Sequence, residues 1–205
     1  MRAVITDAKR LDNHLTHEDI PNWCQDHRRF GFTRNPWDWY VSWYHYQFMT
    51  NQSVENPVTT ALKSMGIVRF DSVTMELLNP SAKLKLKVLK LCSSAISYSS
   101  EMRGMNLRLS SQWLDADESY MSFLERIYND ECLQIIKLEE IAIGLEDALG
   151  QVGDLTMERQ TSIRFSSPIN TSPRGDYRQY YSDELRDLVL DKEGRRARQY
   201  GYRFD

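Results

Sequence analysis

The sequence lacks the patterns that mark disulfide-rich, zinc-binding and membrane-spanning proteins. Its three cysteines, Cys24, Cys92 and Cys132, show no CxxC or Cys/His spacing, so neither a disulfide framework nor a zinc site is predicted. No stretch approaches the roughly 20 consecutive apolar residues of a membrane span, and residues 1–14 lack the apolar stretch of a secretory signal. We therefore expect a cytoplasmic protein with free thiols, no bound metal and no membrane partner.

The chain also lacks internal repeats, low-complexity tracts and Gly/Ser linkers. With 41% hydrophobic and 27% charged residues, its composition is that of a globular protein able to bury one core. Residues 1–205 are therefore predicted to form a single domain.

Charge is distributed unevenly along the chain. The net charge of -3 argues against nucleic acid as a partner. Residues 159–205 nevertheless carry ten Arg/Lys against seven Asp/Glu, and nine of the ten cations are arginines. Because the planar arginine fork suits phosphate and sulfate oxygens, this bias indicates an anionic small ligand.

Strand-like and helix-like segments alternate along the sequence. Short apolar runs at 28–34 and 132–138 predict strands, and residues 82–91 (AKLKLKVLKL) fit a strand as well as a helix. Helices are predicted from Pro36 onwards, at 57–65, 70–78, 118–128 and 141–151, and from about Ser182, with a long polar loop at 157–181. The alternation favours an α/β layered fold with a parallel sheet.

Arg34 stands where the first predicted strand gives way to a helix. In open α/β sheets, ligands bind outside the carboxyl ends of the strands. Ser42 follows eight residues later, just over two helical turns on, and so returns to roughly the side of Arg34. An arginine fork and a hydroxyl near a helix N-terminus form a reasonable phosphate site.

The segment FGFTRNPWDWYVSWYHY, residues 30–46, resembles the RNPxDxxxSxYH segment of cytosolic and carbohydrate sulfotransferases. The segments CLQIIKLEEIAIGLEDAL and NTSPRGDYRQYYSDELRDLVLDKEGRRARQYGYRF also resemble parts of that family, especially its bacterial and carbohydrate members. The resemblance implies a three-layer α/β fold, a parallel β-sheet flanked by helices as in nucleotide kinases. It also implies transfer of a sulfuryl group from PAPS (3′-phosphoadenosine 5′-phosphosulfate), with Arg34 and Ser42 binding the 3′-phosphate.

The family's C-terminal loop often contacts the same phosphate through an Arg-Lys-Gly or similar turn. Arg174 and Gly175 occupy the corresponding stretch, with Arg178 close by, although the lysine is absent. The resemblance therefore implies a donor-binding role for these three residues.

Sulfuryl transfer needs a base that removes the acceptor proton, and histidine has a suitable pKa. Several branches of the family place a His-Leu pair about twenty residues before the motif arginine, and His14 with Leu15 fits that pattern. We predict His14 as the catalytic base, with His17 as the competitor. His27 reads as a surface residue and His45 as a packing or donor-side residue.

The chain departs from the family in one respect. The Gly/Ser/Thr-rich loop of the PKxGTT type, which cradles the 5′-phosphosulfate, is absent from the sequence, so we expect an N-terminally incomplete fold. Two hypotheses result: an active sulfotransferase, or a truncated or degenerate relative that binds nucleotide or a partner without catalysis. A nucleotide kinase-like protein has less support, because no GxxxxGK[ST] motif occurs. The acceptor is expected to be a glycan or a small hydroxylated metabolite, and a homo-oligomer is possible because an incomplete sheet edge invites a partner.

Overall fold

The structure, a computed structural model, describes residues 22, 28–49, 56–93, 117–129, 134–166 and 174–205. Two strands are described: Phe30–Thr33 (β1) and Gln134–Lys137 (β2). The α-helices are Pro36–Tyr44 (α1), Pro57–Ser64 (α2), Phe70–Leu78 (α3), Ala82–Ser93 (α4), Tyr120–Tyr128 (α5), Ile141–Gln151 (α6), Met157–Phe165 (α7) and Asp183–Gln199 (α8). Short helical turns of other types cover His45–Met49, Leu138–Glu140 and Tyr177–Tyr180.

The chain divides into two compact units. The sheet unit comprises Met1–Arg34 and Ile127–Thr171, and the helical unit comprises Asn35–Arg126 and Ser172–Asp205. A single domain over residues 1–205 stays a prediction. Among the described helices, none combines the length and apolar character needed to cross a membrane.

In the sheet unit, β1 and β2 pair in parallel, with Phe30 opposite Gln134 and Thr33 opposite Lys137. Helix α6 packs against β2 at Gly144, where an added Cβ would overlap the side chain of Ile136. The glycine therefore permits a close approach of helix to strand.

Helix α7 follows in the region that the sequence predicts to be a long polar loop, so that prediction is wrong for Met157–Phe165. Its N-cap Thr156 accepts a hydrogen bond from a first-turn N–H group, and Ile163 is buried with Leu149 of α6. Arg164 on α7 also pairs with Glu146 on α6 at 2.7 Å. Helix α7 therefore has no apolar stripe and is stabilised by its N-cap, by the buried side chain of Ile163 and by the ion pair to α6.

The helical unit is built around α1, which contacts α3 and α8. Trp37, Tyr40 and Val41 on α1 are at most 2% exposed. Their three- and four-residue spacing in the sequence predicts a helix face packed on a sheet. The face is buried as expected, but it packs against helices rather than against a sheet. The other fully buried large side chains of the unit include Leu62, Leu77, Leu78, Leu84, Tyr120, Met121 and Phe123.

The predicted three-layer α/β fold, a parallel β-sheet flanked by helices, is wrong. The described residues contain one two-stranded sheet, and those of the helical unit contain no strand. The ambiguous stretch 82–91 lies in α4, where Leu84, Val88 and Cys92 are buried. These positions recur every four residues, so the buried face follows the helical period rather than the alternation of a strand.

Candidate functional site

The start of α1 is fixed by its own N-cap. Asn35 Oδ1 accepts a hydrogen bond from the backbone N–H of Trp37 at 3.1 Å. Pro36 takes the first helical position, where no N–H is needed. Asn35 Nδ2 also donates to the carbonyl oxygen of Arg203 at 3.0 Å, which ties the helix start to the C-terminal end of the chain.

An ion pair joins the first turn of α1 to the segment that follows residue 173. Arg174 Nη2 lies 2.5 Å from Asp38 Oδ1, and Arg174 Nη1 donates to the carbonyl oxygen of Asp38 at 3.4 Å. The two side chains are 13% and 16% exposed, so water screens this pair less than a surface pair. The arginine is therefore held against α1.

Ser42 is partly buried and lies four residues after Asp38 on the same helix. Residues four apart share one helical face, so the Arg174 contact lies on the face that carries Ser42. The structure thus brings Arg174 to the helix face of Ser42, two predicted donor-binding residues that are distant in sequence. Their phosphate-binding roles stay predictions.

His45 occupies the next turn, where α1 passes into the π-helical turn His45–Met49. Its Nε2 lies 2.6 Å from the hydroxyl oxygen of Tyr180, and the two rings meet edge to face. Burial, and secondarily the positive charge of Arg174, lower the pKa of His45 below its ordinary value. The neutral imidazole is therefore favoured, and whether His45 is a packing or a donor-side residue stays a prediction.

Aromatic residues extend the contact between α1 and the C-terminal segment. Tyr181 donates a hydrogen bond from its hydroxyl to the carbonyl oxygen of Trp37 at 2.7 Å. The ring of Phe204 contacts the rings of Trp37, Tyr177 and Tyr181, all nearly perpendicular to it. The residues of the RNPxDxxxSxYH helix and of the C-terminal segment therefore share one packed cluster.

The predicted site residues are divided between the two compact units. Arg34 is partly buried and belongs to the sheet unit, whereas Ser42, Arg174, Gly175 and Arg178 belong to the helical unit.

Arg178 pairs with Asp176 at 2.7 Å, with side chains 51% and 37% exposed, and this contact lowers the pKa of Asp176. Gly175 is exposed. His14, the predicted base, lies outside the described residues, as do His17 and His27.

Sequence reasoning assigned no role to Asp38 or Tyr180, although both contact residues of the candidate site. The signal for Asp38 was present, because it is the acidic position of the RNPxDxxxSxYH pattern. An aspartate in the first turn of a helix is also favoured by the helix dipole, so its sequence position alone did not point to Arg174. Tyr180 had no comparable signal, since it is one of three tyrosines in residues 177–181.

Two further findings concern metal binding and the comparison with known proteins. The described residues contain no group of three or more His, Cys, Asp or Glu side chains that could hold a metal ion. Neither a protein-family model, nor a curated protein, nor a solved structure matches this chain.

Proposed function

We propose that this protein uses PAPS as a donor and transfers its sulfuryl group to a hydroxyl acceptor. Arg34, which immediately precedes the N-cap of α1, and Ser42 keep the 3′-phosphate-binding roles that the sequence resemblance implies. Arg174, Gly175 and Arg178 are proposed to complete donor binding from the C-terminal segment.

One observation carries the proposal. Two sequence segments that resemble the sulfotransferase family, separated by more than a hundred residues, meet in the helical unit. Arg174 contacts Asp38, Tyr180 contacts His45, and Tyr181 contacts the backbone of Trp37. A chance likeness in either segment gives no reason for the two to pack together, whereas a shared nucleotide site does.

The side chains suit the chemistry of the donor. A phosphate accepts several charge-assisted hydrogen bonds from arginine forks and hydroxyl groups. The N-terminus of α1 adds a favourable dipole for an anion. No metal ion is part of this proposal.

In the transfer itself, the acceptor oxygen attacks the sulfur of PAPS while the bond from sulfur to the bridging phosphate oxygen breaks. The products are the sulfated acceptor and adenosine 3′,5′-bisphosphate. We propose that His14 takes the acceptor proton. The His14→Ala variant should lose turnover and retain donor binding, whereas intact turnover with weakened donor binding would refute the role of base.

The acceptor is proposed to be a glycan or a small hydroxylated metabolite, in the direction of the bacterial and carbohydrate sulfotransferases that the C-terminal segment resembles. A cytoplasmic location is part of the proposal. It fits the three cysteines without disulfide spacing, of which Cys92 is buried as a free thiol.

Isothermal titration with adenosine 3′,5′-bisphosphate tests donor binding without an acceptor. We expect wild-type protein to bind and the Arg34→Ala variant to lose detectable binding, because it loses a charge-assisted phosphate contact. Arg69→Ala is the matched control, because the Arg69 side chain is 81% exposed and forms an ion pair with the nearby Asp71. Equal affinity of wild type and Arg34→Ala would refute the assignment of Arg34.

The second candidate is a relative that binds the nucleotide without catalysis. It is favoured by the absence of a Gly/Ser/Thr-rich loop for the 5′-phosphosulfate from residues 1–205. In-line transfer depends on positioning and charge stabilisation, so a protein without such a loop should have little transfer activity. Bisphosphate binding without transfer from PAPS to any acceptor in a broad hydroxyl panel would favour this candidate.

A further inference from the structure

The ion pair between Asp38 and Arg174 leaves part of the arginine side chain able to bind a ligand. Among the described residues, Arg174 contacts Asp38 twice, through the side-chain carboxylate and through the backbone carbonyl. One terminal nitrogen of the guanidinium is engaged by each oxygen. Because a guanidinium carries five N–H donors, the remaining donors are available to a second acceptor.

Asp38 is itself well anchored. It lies in the first turn of α1, where the helix dipole favours a negative charge, and its side chain is 16% exposed. Arg174, in contrast, lies on a stretch without regular structure just before the exposed Gly175. A long arginine side chain on such a stretch loses much rotamer freedom when it is fixed, so a rigid partner is needed to hold it in one orientation.

The positive charge of Arg174 affects α1 electrostatically, although Arg174 is paired with Asp38. It contributes to lowering the pKa of His45, which lies seven residues after Asp38. Ser42 lies between these two positions on the same helix. A ligand anion beside Ser42 would therefore experience attraction from Arg174.

We propose that Asp38 is a positioning residue that orients Arg174 toward the 3′-phosphate of the donor nucleotide, so that the pair sets selectivity for a 3′-phosphorylated adenosine. This inference rests on the proposed function and extends it to a residue that does not itself touch the ligand.

The experiment compares the affinities of adenosine 3′,5′-bisphosphate and adenosine 5′-monophosphate, which lacks the 3′-phosphate. The ratio of the two affinities is measured for wild type, Asp38→Asn, Asp38→Glu, Arg174→Ala and the Asp38→Asn/Arg174→Ala double variant. We expect Asp38→Asn to lower the ratio by about tenfold, the effect of one charge-assisted contact. Asp38→Glu should restore part of it, and the double variant should be no worse than Arg174→Ala.

The matched control is Asp71→Asn. Asp71 also lies in the first turn of a helix and pairs with an arginine, Arg69, but both side chains are more exposed, at 43% and 81%. This control should leave the ratio unchanged.

The failures can be told apart. A wild-type protein without preference for the bisphosphate would overturn both the proposed function and this inference. A wild-type preference that Asp38→Asn leaves unchanged or increases would overturn the inference alone. In that case the ion pair either only fastens the C-terminal segment or competes with the phosphate. Lower thermal stability of Asp38→Asn with an unchanged ratio would identify the fastening role.

Discussion

Replacing Glu193 should strongly destabilise the helical unit, because its carboxylate is buried and fully engaged. Glu193 lies on α8 and is 2% exposed. Its Oε1 accepts hydrogen bonds from the hydroxyls of Tyr40 at 2.7 Å and Ser119 at 2.5 Å. Its Oε2 accepts from the Ser122 hydroxyl at 3.0 Å and from Arg196 Nη1 at 2.7 Å. The carboxylate thus links α8 to α1 and α5.

The expected magnitude follows from these contacts. Removing one partner of a buried ion pair costs about 3–5 kcal/mol when the other charge is left uncompensated. Arg196 keeps its second partner, Glu125, which reduces that loss. The Tyr40 and Ser119 hydroxyls, however, lose an acceptor, and each unsatisfied buried donor costs about 1–3 kcal/mol. We therefore expect Glu193→Ala to lower the free energy of unfolding by about 3–5 kcal/mol.

Urea unfolding followed by tryptophan fluorescence measures this change, since Trp37, Trp39 and Trp43 all lie on α1. Lys192→Ala, at the exposed neighbouring position, should change the stability by less than about 0.5 kcal/mol. Glu193→Gln keeps the shape but offers N–H groups to donors, so it should give an intermediate loss. A loss below about 1 kcal/mol for Glu193→Ala would refute the reasoning, because a buried, fully engaged carboxylate cannot be that dispensable.

Three further predictions concern other sites. Gly144→Ala should destabilise the sheet unit by about 1–3 kcal/mol, because the new methyl group overlaps Ile136. At Gly150 an added Cβ would lie 3.9 Å from the nearest atom, on Leu155, so Gly150→Ala should stabilise α6 by about 0.5–1 kcal/mol. Urea unfolding measures both variants, and equal changes in the free energy of unfolding would contradict the close contact between Gly144 and Ile136. The lowered pKa of His45 means that its stabilising contribution is complete above its ordinary pKa of 6.5 and is lost as the pH falls through its folded-state pKa. Thermal unfolding of His45→Gln should therefore depend less on pH below 6.5 than that of wild type, and an unchanged dependence would refute this. Burial raises the pKa of Cys92 to about 11, so mass spectrometry should find it unalkylated in the native protein at pH 8 and modified after unfolding.

Local structure was predictable where strong signals coincide. Asn35-Pro36 predicts the start of α1, Ser182 is the N-cap of α8, and the helices at 70–78 and 141–151 have the predicted bounds. The two predicted strands exist, at Phe30–Thr33 and Gln134–Lys137, and β1 is shorter than expected. Side-chain N-caps hold the starts of α1 and α8. The helices at 70–78 and 141–151 begin without a side-chain cap, so their bounds follow from the apolar period.

The arrangement of elements was not predictable in the same way. An alternation of strands and helices suggests a layered parallel sheet, but only two segments form strands in the described part of the chain. The alternating lysines and leucines of residues 82–91 fit both periods, and burial at Leu84 and Val88 decided for the helix. Helix α7 is stabilised by its N-cap and by an ion pair to α6. The ion pair is a tertiary contact, so no local sequence pattern predicts it.

The candidate site was likewise predictable only in part. The sequence resemblance predicted roles for Arg34, Ser42 and Arg174. It did not predict the ion pair between Asp38 and Arg174 or the contact between Tyr180 and His45. Those contacts join residues more than 130 positions apart. Only folding brings them together.

The central claim is that α1 and the C-terminal segment form part of a site for a 3′-phosphorylated adenosine nucleotide. Isothermal titration of the wild-type protein with adenosine 3′,5′-bisphosphate and, separately, with adenosine 5′-monophosphate tests it most directly. The account predicts micromolar binding of the bisphosphate and at least about tenfold weaker binding of the monophosphate, the difference expected from the 3′-phosphate contacts. No binding of the bisphosphate, or equal affinity for both nucleotides, would contradict it.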